Sequence, residues 1–307
     1  MLAFTEERSV QNAEILINDF QWAQATVKKV LLREPRILGL NKDTITNRIQ
    51  WMTYTWCQND TKAGEILIKR NPALLATGRN AENIFLPKMK MMENRLGLNT
   101  TKVTKIIRAM PLILTCNFNT TIEPKLTWLE ETFDLNQADL ARVIQRRPSL
   151  LIGFGVNETL VPKTLWLQQR LHLDDTTLRK IVKLCPAILT FSSDKIEPCL
   201  QWLQQELALD DPLALRKFVA GAPCTLGMNT TNNLQPKLDF YKQCLGDEEG
   251  SSLVRNNPVL LAVSLEKRLK PRLQEAIKAG IKVDYSEMYK IGMHTPARWQ
   301  NYIEGQR

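Results

Sequence analysis

The chain has 307 residues, 44% of them apolar, enough to bury a continuous core. Lys and Arg number 41 against 32 Asp and Glu, a net charge of +9, so polyanions are the first partners to consider. His172 and His294 are the two histidines, which leaves little material for a histidine metal site or a Ser-His-Asp relay, and no catalytic residue, metal ligand or cofactor is expected.

At the N-terminus Glu6 and Glu7 stand where a secretory signal would be basic and then apolar, and where a transit peptide would avoid acids. No targeting segment is recognisable. Beyond this segment the chain repeats itself. Pro35, Pro72, Pro111, Pro148, Pro186, Pro223 and Pro258 stand 37, 39, 37, 38, 37 and 35 residues apart, and each opens one phrase. The phrases are Pro-Arg-Ile-Leu38, Pro-Ala-Leu-Leu75, Pro-Leu-Ile-Leu114, Pro-Ser-Leu-Leu151, Pro-Ala-Ile-Leu189, Pro-Cys-Thr-Leu226 and Pro-Val-Leu-Leu261. A second series follows at Pro87, Pro124, Pro162, Pro198, Pro236 and Pro271, with Asn47 in that slot of the first repeat.

Four and five places before each first proline the residue is apolar, from Leu31 and Val30 to Val254 and Leu253. Eight places before it stand Val27, Gly64, Val103, Leu140, Leu178, Leu215 and Gly250, completing one face of a helix. That helix must stop at the proline, because the residue before proline is pushed out of the α region. The short phrase itself suits a buried 3₁₀ turn. Polar connectors such as Asn117-Phe-Asn-Thr-Thr121 and Ser192-Ser-Asp194 predict caps for a second helix, with the second proline in its first turn. Asp174-Asp175 and Asp210-Asp211-Pro212 predict caps for the following first helix. A unit of this length cannot bury its apolar face alone, so the units must stack. The expectation is one all-α domain over residues 1–307: an N-terminal cap to 26, seven helix-turn-helix repeats over 27–272, and a C-terminal cap over 273–307. No apolar run is long enough to cross a membrane. Cys57, Cys116, Cys185, Cys199, Cys224 and Cys244 form no C-x-x-C pair and read as buried thiols in a reducing compartment.

The Pro-x-Leu-Leu phrases, the Pro124-Lys-Leu-Thr-Trp-Leu129 start of a second helix and the closing Ser264-Leu-Glu-Lys-Arg-Leu-Lys-Pro-Arg272 resemble the mitochondrial transcription termination factor (mTERF) family over roughly residues 27 to 302. The resemblance implies an all-α superhelical solenoid of about seven repeats, of either hand. It also implies residence in mitochondria or chloroplasts and binding of double-stranded DNA or structured RNA in organellar gene expression. Asn47 in the first repeat and Cys199, where a basic residue usually follows the second proline, depart from the family pattern.

Helical geometry puts the sixth and third places before each first proline opposite the apolar stripe. These fourteen positions include Lys29, Lys69, Lys105, Arg108, Arg142, Lys180, Lys183, Lys217 and Arg255, and none is acidic, against about two basic residues expected by chance. A stacked array turns one such residue per repeat into a track for phosphates, one per 3.4 Å of strand. The competing reading is a solvated helix face with cations favoured by the helix dipole. A second candidate set follows the second proline: Lys88, Lys125, Lys163, Lys237 and Arg272, whose stems could equally cover a neighbouring helix. A third is the basic stretch with Lys267, Arg268 and Arg272, which could equally be an ordinary capping helix.

Trp51, Trp128, Trp166 and Trp202 invite a base-stacking role but share helix faces with leucines, and read as packing between repeats. His172 reads as a helix-end residue, Gly153-Phe-Gly155 as a turn, and Glu130-Glu131 as a helix surface. The functional expectation is a monomeric nucleic-acid-binding regulator, not an enzyme. The alternative is a helical scaffold that recruits a partner enzyme to organellar RNA; such a surface should carry apolar anchors and not an acid-free stripe.

Overall fold

The structure, a computed structural model, describes residues 6–77 and 81–306; Met1–Thr5 of the segment tested for targeting lie outside them. Among the described residues every regular element is helical and none is a strand. The protein is an all-α helical repeat. Its contacts divide it after Gly153 into two compact units. The division falls in the Gly153-Phe-Gly155 connector, where Gly153 takes φ +84°, a conformation that glycine adopts without steric cost.

In the first unit the first helices of the repeats are Gln24–Arg33, Thr61–Arg70, Thr100–Ala109 and Gln137–Arg146. In the second they are Asp175–Leu184, Pro212–Gly221 and Asp247–Asn256. The earliest begins at Gln24, ahead of the boundary at residue 27. Asp60, Asn99, Asn136, Asp174 and Asp211 each accept a hydrogen bond from the backbone N–H three residues on, so the polar residues before these helices are caps. Each helix stops one residue short of its proline. The intervening residue has φ between −144° (Ala222) and −133° (Asn257), the extended geometry that proline forces on its predecessor. Gly64 and Gly250 complete their apolar faces because nothing larger fits. A Cβ on Gly64 would lie 2.4 Å from Thr53 Oγ1, and one on Gly250 would lie 2.6 Å from the Lys242 backbone nitrogen.

The proline phrases form 3₁₀ turns in six repeats and a short α turn, Ala73–Ala76, in the second repeat. Leu75, Leu114, Leu151, Leu189, Leu226 and Leu261 of these phrases are buried, and Leu38 is half-buried. Thr225, off-pattern in sequence, is also buried, and its hydroxyl donates to Ala222 O at 2.7 Å.

In four repeats the second helix holds the second proline in its first turn, as expected; two repeats depart from this. Wide π turns at Phe118–Ile122, Val156–Leu160, Thr230–Leu234 and Leu265–Leu269 lead into helices starting just before Pro124, Pro162, Pro236 and Pro271. Pro87 and Pro198 lie inside Ala81–Leu96 and Ser193–Leu207. A proline has no N–H and its ring clashes with the carbonyl four residues back; widening the turn moves that carbonyl aside. His172 is the left-handed residue that ends the helix Val161–Leu171, with φ +48°. The chain closes with Lys270–Lys278, Tyr285–Met293 and Pro296–Glu304.

The cysteine reading fails at one pair. Cys185 and Cys224 form a disulfide with Cα atoms 5.5 Å apart. Their separation of 39 residues is about one repeat, so stacking brings the residue before Pro186 against the residue after Pro223. Cys57, Cys116, Cys199 and Cys244 are free.

Candidate nucleic-acid interface

Neighbouring first helices touch within each unit: Gln24–Arg33 packs on Thr61–Arg70, Thr100–Ala109 on Gln137–Arg146, and Asp175–Leu184 on Pro212–Gly221. Arginines two places before the first proline tie them. Arg33 donates to the carbonyls of Lys69 (2.9 Å) and Arg70 (3.3 Å), and Arg70 to that of Arg108 (3.1 Å). These bonds satisfy the open C-terminal carbonyls of the next helix and place a positive charge where the helix dipole favours it.

The same helices carry the cations of the sixth and third places. Lys29, Lys69, Lys105 and Arg108 are exposed in the first unit, Lys180 and Lys217 in the second, and among the described residues none of the six has an ion-pair partner. Unpaired surface cations at equivalent points of successive helices leave positive potential uncompensated. Arg142 and Arg255 differ. Arg142 pairs with Asp139 on its own helix, and Arg255 with Glu248. The acids stand at places outside the fourteen counted, which is why the stripe looks wholly uncompensated in sequence. Lys183 is half-buried. Two stripe positions are apolar and exposed, Leu32 at 71% and Ile66 at 45%.

The basic residues after the second proline do not share that surface. Lys88, Lys125 and Lys237 each reach from a second helix to the proline turn of the following repeat. Lys88 Nζ donates to the carbonyls of Leu114 (2.6 Å) and Cys116 (2.7 Å), Lys125 Nζ to Leu151 O (2.9 Å) and Lys237 Nζ to Leu261 O (2.7 Å). Arg48, beside Asn47, does the same to Leu75 O. It escapes a search keyed on proline, although counting residues along the repeat would find it. In the fifth repeat Cys199 holds the place, its Sγ 3.5 Å from Thr225 O. These side chains are staples between repeats, and burial pushes the lysines at 88, 125 and 237 below their ordinary pKa.

Arg272, expected among the binding residues or as a stem covering a neighbouring helix, is buried and bonded like the staples. It is 7% exposed, and its Nη1 donates to Ile291 O (3.0 Å) and His294 O (2.8 Å). Lys267 is exposed and Arg268 half-buried on the same stretch. The four recurrent tryptophans are half-buried and face other aromatic or polar side chains. Trp51 packs on Trp56 and Phe85, Trp128 on Phe133, and Trp202 Nε1 donates to Gln235 Oε1 of the next repeat at 2.6 Å. Burial and nearby Arg298, Lys290 and Arg272 hold His294 below its ordinary pKa.

Staples between repeats and exposed, unpaired cations on successive first helices define, within each unit, a helical-repeat protein with excess positive charge at its surface. The mTERF family model matches residues 2–132, 81–154 and 133–292. The chain belongs to the mTERF family. Membership points to organellar nucleic-acid-binding regulation in general terms, a role family members generally fill without catalysis. No curated protein matches the chain. Among the described residues no helix is long and apolar enough to cross a membrane.

Proposed function

We propose that this protein regulates organellar gene expression by gripping the phosphate backbone of double-stranded DNA or structured RNA, as a monomer whose seven repeats act as one array. The observation that carries the reading is the set of exposed, unpaired cations Lys29, Lys69, Lys105, Arg108, Lys180 and Lys217. Lys183, Arg142 and Arg255 flank them, the two arginines weakened as phosphate ligands by their acids. Phosphate contacts of this kind set affinity and register, and sequence choice falls to a minority of base contacts.

The test compares two variants of equal charge. Lys69, Lys105, Arg108, Lys180 and Lys217 converted to Gln should lower the log-log salt slope of binding to one duplex by about 4.5. Lys42, Lys90, Lys195, Lys278 and Lys282 converted to Gln reduce net charge equally and should leave the slope near the parent value. Equal slopes in the two variants would return the stripe to an ordinary solvated face.

A second reading, a scaffold that recruits a partner enzyme to organellar RNA, is favoured at one place. In the first unit Ile17, Val27, Leu31, Leu32, Pro35 and Leu38 line an apolar groove. Loss of co-purified protein in a Leu32→Ser variant that still binds nucleic acid would favour it.

A further inference from the structure

In the second unit, the connector before Pro271, the helix Lys270–Lys278 and the helix Pro296–Glu304 enclose a cavity of about 610 Å³. Its wall includes Lys267, Arg268, Arg272, Ser264, Glu275 and Trp299. The preceding repeat has a counterpart of about 520 Å³, lined by Asn232, Asn233, Lys237 and Ser264 among others. Counting from the second proline, Asn232 and Lys267 occupy the same place, as do Asn233 and Arg268, and Lys237 and Arg272.

That register exposes a substitution that packing does not require. In the sixth repeat the staple has an acceptor beside it: Lys237 Nζ donates to Asn233 Oδ1 at 2.7 Å. In the seventh, a second guanidinium replaces the acceptor. Arg268 cannot accept a bond from Arg272, and the two like charges repel. The other repeats place Asp43-Thr44, Asn83-Ile84, Thr120-Thr121, Glu158-Thr159 and Asp194-Lys195 at these two positions; the one basic residue among them, Lys195, stands in the repeat whose staple is the uncharged Cys199, so no other repeat sets a cation there against a charged staple in place of an acceptor. A doubly basic pair occurs in the seventh repeat alone.

The acid on the wall, Glu275, resolves only part of the conflict. Glu275 accepts from Trp299 Nε1 at 2.6 Å, and nearby Glu266 is held by Lys270 at 2.6 Å. Arg268 has no hydrogen-bond or ion-pair partner for its side chain among the described residues. Burial and the charge of Arg268 both push the Arg272 pKa down, and Glu275 offsets only part of that. Arg272 is held by two carbonyls and lies 5.3 Å from the Trp299 ring centre, so the side chains left to meet a ligand are Arg268 and Lys267, two cations beside one carboxylate, Glu275, on the cavity wall.

We propose that this cavity is a phosphate-binding subsite, with Arg268 and Lys267 as the direct ligands and Arg272 as the buried charge behind them. Guanidinium groups match phosphate oxygens in paired hydrogen bonds, whereas Lys267 supplies a point charge. The identity of the anion as phosphate rests on the nucleic-acid reading above. The phosphate comes either from a strand end or from within the backbone.

The decisive variant copies the sixth repeat: Lys267→Asn with Arg268→Asn. The Arg268→Asn change restores the kind of acceptor that Lys237 has and removes the repulsion, so the variant should melt at or above the parent temperature. Its affinity should fall about tenfold for whichever probe the pocket takes, the loss expected for one charge-assisted contact. Three probes are titrated calorimetrically: adenosine monophosphate, a 5′-phosphorylated oligonucleotide and its 5′-hydroxyl twin. A strand-end site binds the first two and loses affinity for the third. An internal site treats the two oligonucleotides alike and still loses tenfold in the variant. Unchanged affinity for all three probes overturns the proposal. Arg268→Gln, which keeps much of the side-chain length, replaces the double variant if that one melts early. The stripe variant separates the two readings: if it binds normally while the pocket variant fails, the stripe falls and the pocket stands, and the reverse result removes the pocket alone.

Discussion

Among the staples Lys163 is the exception. Its Nζ is buried without a hydrogen-bond partner and lies 4.0 Å from the centre of the Trp166 ring. A ring face offsets part of the desolvation of an ammonium, about 0.5 to 2 kcal/mol, but burial wins and takes the Lys163 pKa from 10.5 to about 8. The folded state holds this proton less tightly than the unfolded state, so between about pH 8 and 10.5 the unfolded chain binds more protons and stability rises with pH through that window. Lys163→Met keeps the stem and removes the charge. It should stabilise the protein at pH 7 by on the order of 1 kcal/mol and flatten the rise between pH 8 and 10.5 in thermal melts. An unchanged pH profile would mean that Lys163 already has a partner for its charge. This distinction was invisible in the sequence, where Lys88, Lys125, Lys163 and Lys237 share one pattern. The acceptors of the other three are backbone carbonyls in the next repeat, which no residue identity encodes. The exposure of Lys105 or Lys180 was legible because helical period alone decides which side a residue takes. The neutralisation of Arg142 was not, because a flexible side chain chose Asp139.

Elements were most legible where a local steric rule governs them. Each first helix ends where proline excludes its predecessor from the α region, and the phrase after it is too short for anything but a turn. The second helices were less legible, because the π turn that tolerates a proline is set by how the whole segment packs. The joint between the fifth and sixth repeats was hidden for a related reason: two cysteines one repeat apart become neighbours only after stacking. That joint carries two departures at once. Cys199 replaces the lysine staple, leaving a thiol at 3.5 Å from Thr225 O, and the Cys185–Cys224 disulfide links the same two repeats. Closing a loop over this 39-residue separation stabilises by about 4 kcal/mol in the chain-entropy account. Reductant should therefore lower the melting temperature of the parent protein. Cys199→Lys should recover part of that loss under reducing conditions, about 1 kcal/mol, by restoring a charged donor to the turn carbonyls. If reductant leaves the parent melt unmoved, the disulfide contributes nothing to the joint.

For the whole molecule, a net charge of +9 attracts any polyanion at long range, so affinity alone cannot tell a binding track from diffuse attraction. Counterion release can, because it counts phosphates in contact. The unpaired cations chosen for substitution divide between the two units, with Lys69, Lys105 and Arg108 in the first and Lys180 and Lys217 in the second. Converted to Gln as separate sets, the first should lower the log-log salt slope on duplex DNA by about 2.7 and the second by about 1.8. Sites this far apart in sequence, on different units and without a shared partner, should act independently, so the combined variant should show the sum of the two decrements. The measurement is one duplex, one temperature and one salt range, with fluorescence anisotropy as the readout. A decrement confined to the first set would assign binding to the first unit and leave Lys180 and Lys217 as solvated surface. A combined loss no larger than either set alone would mean that the protein uses one unit at a time, which a single array of seven repeats does not predict.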